Sequence, residues 1–140
     1  MKALDTNVLA RFFVDDANQP QPARQRPAAI AAPSRRAFVP VTVLLEFEWV
    51  LRGFYELSPR EIARALRALA SIPHVTLEDP VTVLMAVEGF ERGLDFADAL
   101  HVTRSARASG LATFDARLAR RARKLGAEWP VELLPSAHPA

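Results

Sequence analysis

The chain has no cysteine, so neither a disulfide framework nor a thiolate metal site is available to it. No apolar run reaches the ~18 residues of a membrane span. The basic-then-apolar pattern of a signal peptide is missing, because Asp5 interrupts the first apolar stretch. These absences favour a cytoplasmic protein. Lysine is scarce: the 18 basic residues include only Lys2 and Lys124, which leaves 16 arginines. Arginine suits bidentate phosphate contacts, although the same count also fits a bias toward Arg, Ala and Pro. What the chain does have is 140 residues, 50% of them hydrophobic and 24% charged, with a net charge of only +2. That is one soluble globular domain with enough length for a core.

The first seven residues set the organisation. A short apolar run ends in Asp5, Thr6 and Asn7, and Val8 to Val14 follows at once. Ala3 to Asp5 reads as the end of a buried central strand, and Thr6 to Val14 as the first helix. Asp15 to Pro33 carries prolines at 20, 22, 27 and 33. Proline inside a helix costs about 3 kcal/mol, so a loop with at most a short, broken helix is expected there.

Ala37 to Val41 reads as the second strand, with Thr42 as N-cap of a helix whose apolar residues run from Val43 to Phe54. Ser58-Pro59-Arg60-Glu61 combines a capping box with proline at the first helical position. Val75 to Leu77 is the third strand, and Pro80 opens a helix that Gly93 ends. Asp95 caps a nearly all-apolar helix, Phe96 to about Ala108, which should be buried. Leu111 to Thr113 is the fourth strand. Ala116 to Leu125 is a basic helix closed by Gly126, and Val131 to Leu134 is the last strand. Strands alternating with helices imply an α/β fold with a central parallel sheet covered on both faces.

Four acids stand out by position. Asp5 and Asp115 each follow a short strand; Glu46 and Asp98 sit in apolar helices. Acidic residues are rarely fully buried unless paired. Each has an ordinary explanation, and Asp115 and Asp95 read equally well as helix caps. If they converge, the arithmetic changes. Two carboxylates ~5 Å apart at an effective dielectric of ~20 repel by roughly 3 kcal/mol, and such a cluster needs protons or cations. Carboxylate oxygens suit Mg2+ or Mn2+, and a water at such an ion is a nucleophile against a phosphodiester.

LDTNVL at 4–9, VLLEFEWVL at 43–51, GLDFADALHV at 93–102 and ATFD at 112–115 resemble the motifs of the PIN-domain ribonucleases. More closely they are similar to the VapC-type toxins of bacterial type II toxin–antitoxin pairs. The resemblance covers nearly the whole chain, with the motifs in order. It implies a single PIN-like α/β/α nuclease domain over residues 1–134, followed by a C-terminal tail at 135–140. It also implies Mg2+- or Mn2+-dependent endoribonuclease activity, a homodimer, and a cognate antitoxin that blocks the site. The catalytic positions it marks are Asp5, Glu46, Asp98 and Asp115, with Asp5 and Asp98 holding metal most directly. Thr6 and Asn7 support the first aspartate, Asn7 by holding the turn. The sequence departs from the family at the prolines at 20, 22 and 27, where relatives carry a helix. It departs again after Asp115, where relatives carry a second acid and this chain has Arg117 and Leu118.

Periodicity does not choose between Glu46 and Glu48. At about 100° per residue they lie on opposite borders of the apolar face, and both are expected at its rim. The resemblance selects Glu46, three residues before Trp49. His101, three residues after Asp98, is either a base near neutral pH or a neighbour's hydrogen-bond partner. Trp49, Phe12 and Phe13 read as core or dimer contacts, or as base-stacking surfaces. Arg117, Arg120 and Arg121 are candidate RNA phosphate contacts, or a solvated face.

Two other classes remain open. A phosphoacceptor signalling domain also clusters acids at strand ends, but it needs paired acids at its first strand end, and this chain has Asp5 alone. A non-catalytic RNA-binding module is the other.

Overall fold

Strands and helices alternate as expected. A computed structural model of the chain describes residues 1–137. Its elements in order are β1 (Lys2–Ala3), α1 (Thr6–Phe13), α2 (Pro20–Ala31), a 3-10 turn (Ala32–Ser34), β2 (Ala37–Val39), α3 (Val41–Gly53) and α4 (Pro59–Ser71). They continue with β3 (Val75–Leu77), α5 (Pro80–Glu91), α6 (Phe96–Thr103), β4 (Leu111–Thr113), α7 (Ala116–Leu125) and β5 (Val131–Leu133). Every strand pairing is parallel. The chain divides into two compact units, Met1–Val83 and Leu84–Ala140, and the boundary falls within α5. No helix among the described residues is long and apolar enough to cross a membrane.

The first unit holds a three-stranded sheet in the order β1-β2-β3. Within it β2 is the middle strand and β1 stands at the end, so the expectation of a central, buried first strand is corrected. Lys2 and Ala3 are exposed, and burial begins at Leu4. Leu4 N–H donates to the Phe38 carbonyl at 2.9 Å, which extends the ladder to the residue before Asp5. The core is built from Leu9, Leu44, Phe47, Leu51, Ile62, Leu66 and Leu69, all essentially fully buried.

Two helices of this unit begin or run differently from the sequence reading. The proline segment is not a loop: α2 is a helix of 12 residues. Pro20 and Pro22 lie in its first turn, where backbone N–H groups have no intrahelical partner. Only Pro27 removes an interior hydrogen bond. The start of α3 is also shifted. It begins at Val41 after Pro40 rather than at a Thr42 cap, and Pro40 provides no side-chain cap. Glu78, just beyond β3, accepts from Val41 N–H at 2.8 Å instead. The cap therefore comes from a distant residue that local pattern does not reveal. The box at the start of α4 forms as read, with Ser58 and Glu61 bonded reciprocally at 3.0 and 3.2 Å.

The second unit holds the parallel pair β4-β5. Phe96, Ala99, Leu100 and Val102 bury one side of α6, which stops at Thr103 rather than near Ala108. Thr103 Oγ1 donates to the Leu100 carbonyl and Ser105 Oγ to that of His101, side-chain bonds that compete with helix continuation. Gly126 ends α7 at φ +119°, a value suited to glycine. Gly89 in α5 lies against Trp129, where a Cβ would meet the indole at 2.4 Å. Trp129 is the buried tryptophan; Trp49, read as core or dimer contact, is 63% exposed. Of the expected tail, residues 135–137 have no regular structure and the rest lies outside the described residues.

Candidate active site

Three aspartates with site potential share one local role. Asp5 caps α1, with Oδ1 accepting from Val8 N–H at 3.1 Å. Asp95 caps α6 through Asp98 N–H at 3.1 Å. Asp115 caps α7 through Arg117 and Leu118 N–H at 2.9 and 3.1 Å. In each cap Oδ1 is the acceptor. The turn after β1 is thus held by Asp5 itself. Asn7, expected to hold it, is exposed and lines a cleft beside Asp5.

In the first unit, α1 and α3 bring Thr6 to Glu46. The Thr6 hydroxyl is buried and donates to Glu46 Oε1 across a sequence separation of 40 residues. Glu46 is otherwise exposed, on the same stripe of α3 as exposed Trp49. Glu48 behaves differently, and its expected rim position is corrected. It is only 2% exposed and pairs with Arg52, Nε to Oε2 at 2.8 Å. The two glutamates that periodicity could not separate are therefore distinct. One is buried and neutralised on its own helix; the other faces Thr6, next in sequence to Asp5.

In the second unit, Asp98 is partly buried on α6. Burial pushes its carboxyl above the ordinary value of 3.8, the negative charges of Asp95 and Asp115 push the same way, and His101 opposes them. The structure thus places Asp98 and Asp115 within electrostatic reach of each other. His101 is exposed in the last turn of α6. Arg121 is committed to the Gly93 carbonyl at 3.0 Å; Arg117 and Arg120 are exposed.

Within the second unit, Asp98 and the nearby Asp115 offer hard carboxylate oxygens of the kind that suit a divalent cation. Among the described residues no three His, Asp or Glu side chains are grouped as a ready-made cage. Mg2+ does not require one: it keeps several waters and is held through one or two carboxylates. The ionised form of Asp98 is disfavoured first by burial and then by Asp95 and Asp115, with His101 opposing, and a nearby cation would favour that form.

Two features of potential site value had no sequence signal. Phe114, beside Asp115, is 69% exposed. Arg11, in the last turn of α1, lines the cleft that contains Asp5.

No curated protein matches the chain. The family model described as PIN domain matches residues 2–124, a span that holds every acid discussed above. The alternation of parallel strands and helices agrees with that nuclease-type fold. The chain belongs to the PIN domain family.

Proposed function

We propose that the protein is a metal-dependent endoribonuclease, and that it is the toxin of a toxin–antitoxin pair. The observation that carries the nuclease reading is the match of residues 2–124 to the PIN domain family, a span that places the partly buried carboxyl of Asp98 near Asp95 and Asp115. A structural carboxylate gains a positive partner; Glu48 has Arg52. Asp98 is partly buried with Asp95 and Asp115 near it and only His101 opposing them, surroundings that suit a cation-dependent site.

Hydrolysis of a phosphodiester joins a water oxygen to phosphorus and releases the ribose oxygen, with the proton passing from water to the leaving group. A bound divalent cation supplies the positive charge that this change requires. The roles of the chain's own groups follow from their surroundings. By the motif resemblance, Asp5 and Asp98 would hold the cation. Glu46 keeps one oxygen on Thr6 and accepts a water proton through the other. Asp115 acts through water while capping α7. Arg117 and Arg120 hold RNA phosphates outside the acidic centre.

Asp5→Asn and Asp98→Asn each test this reading. Both variants should stay folded and lose cleavage of labelled RNA by orders of magnitude. Full activity in either would refute the assignment. The toxin role and the homodimer rest on the motif resemblance alone. A short upstream reading frame encoding a DNA-binding partner, and a dimer by light scattering, are the observations that would support them. A basic side chain of that antitoxin, most simply an arginine, would neutralise the acids.

A further inference from the structure

The first unit carries two neighbouring clefts that share one residue, Arg11. One, of about 400 Å3, is lined by Asp5, Asn7, Arg11 and Gln25. The other, of about 420 Å3, is lined by Arg11, Asp16, Gln19, Pro22, Phe54 and Tyr55. Both volumes fall in the ordinary range of ligand sites.

Arg11 is fixed in place. Its Nε donates to Gln25 Oε1 at 3.1 Å and its Nη1 to the Tyr55 hydroxyl at 3.3 Å. Both acceptors are neutral. Arg26, beside it on α2, shows the contrast. It donates to the Arg11 carbonyl at 3.2 Å, and its own charge is met by Asp15 at 3.7 Å. Among the described residues Arg11 forms no ion pair: its half-buried guanidinium is held by two neutral acceptors, and Asp5 and Asp16 line its clefts without closing onto it. Such a cation binds an anion at little ordering cost. At the far end, Phe54 is 73% exposed and meets Tyr55 edge-on, with centroids 4.9 Å apart at 82°. A free aromatic face beyond a fixed guanidinium is the pattern of a single-stranded nucleic-acid track.

We infer that Arg11 holds a backbone phosphate of single-stranded RNA flanking the bond to be cut, and that the next base stacks on Phe54. This rests on the ribonuclease reading above, because Asp5 lines the same cleft. Tyr55 and Gln25 act as positioning residues: as acceptors from Arg11 they aim the guanidinium.

The test is binding of a short fluorescent single-stranded RNA to the full-length protein under chelation, across a salt series. Arg11→Gln should weaken binding several-fold and reduce the salt slope by about 0.7, one phosphate contact on a single strand. Arg11→Lys should restore the slope but not the full affinity. Tyr55→Phe should weaken binding with the slope kept. Phe54→Ala changes an exposed side chain, so it stays informative even if Arg11→Gln fails to fold; it should lose several-fold affinity with no change in slope. An unchanged slope in folded Arg11→Gln, or unchanged affinity in Phe54→Ala, overturns the inference while leaving the nuclease reading intact. If Arg11→Gln loses binding to an oligoglutamate peptide and not to RNA, the cleft serves an acidic protein segment and the inference is wrong. If the wild type neither binds nor cuts RNA, both readings fall together.

Discussion

The Thr6 hydroxyl donates its hydrogen bond to Glu46, tying the first turn of α1 to the middle of α3. That bond fixes one carboxylate oxygen of Glu46 and leaves the other available. Replacing Thr6 by valine keeps the shape of a buried residue and removes the donor. The expected outcome is a loss of RNA cleavage of at least several-fold, with a stability change of about 1 kcal/mol. Glu46→Gln should cost orders of magnitude in activity with little change in melting temperature. Kinetics and thermal melts on the two variants check this, and wild-type rates in both would remove Glu46 from the site.

Glu48 supplies the opposite pattern. It is buried and bonded to Arg52 on its own helix. Glu48→Gln weakens a charge-assisted bond between buried Glu48 and half-exposed Arg52, so the fold should lose about 1–2 kcal/mol. Cleavage at temperatures where the variant is folded should stay within a few-fold of wild type. A large loss of cleavage in a fully folded Glu48→Gln protein would mean that the helix face has been assigned wrongly.

Asp98 gives a pH dependence with a definite sign. Its folded-state pKa lies above the ordinary value of 3.8, first through burial and then through Asp95 and Asp115. The folded state therefore holds this proton to higher pH than the unfolded chain does. The contribution to stability is full below the ordinary value, falls as pH rises through the raised one, and remains a fixed cost above it. Asp98→Asn removes that cost. Under chelation the variant should melt higher than wild type at neutral pH, and the difference should vanish at pH below the ordinary aspartate range. A variant that melts lower at neutral pH would contradict the charge-repulsion account.

Much of this arrangement was legible in the sequence, for local reasons. Caps and turns are written in neighbouring residues, so the Ser58-Glu61 box and the caps at Asp95 and Asp115 could be read directly. The β4–α7 and β3–α5 segments follow the same logic. Features set by distant residues were not legible. Glu78 caps α3 from beyond β3, and Glu48 is buried although its helical angle mirrors that of Glu46. The prolines of α2 misled because two of the three sit in a first turn, where proline costs nothing. Arg11 had no signal at all, since its significance lies in neutral partners 14 and 44 residues away.

Gly89 tests the packing of the second unit apart from any chemistry. A Cβ there would stand 2.4 Å from the Trp129 ring. Overpacking of this kind costs about 1–3 kcal/mol of unfolding free energy, so Gly89→Ala should lower the midpoint of a denaturant titration. An unchanged midpoint would show that Trp129 is not packed against α5.

The central claim is that the acids of this chain serve cation-dependent cleavage of RNA. Purified protein is stripped of metal by chelation, mixed with labelled single-stranded RNA, and then supplied with excess Mg2+ or Mn2+. The account predicts no cleavage in the stripped sample, restored cleavage on metal addition, and no restoration by metal in Asp98→Asn. Full cleavage by the thoroughly stripped wild-type protein would contradict it.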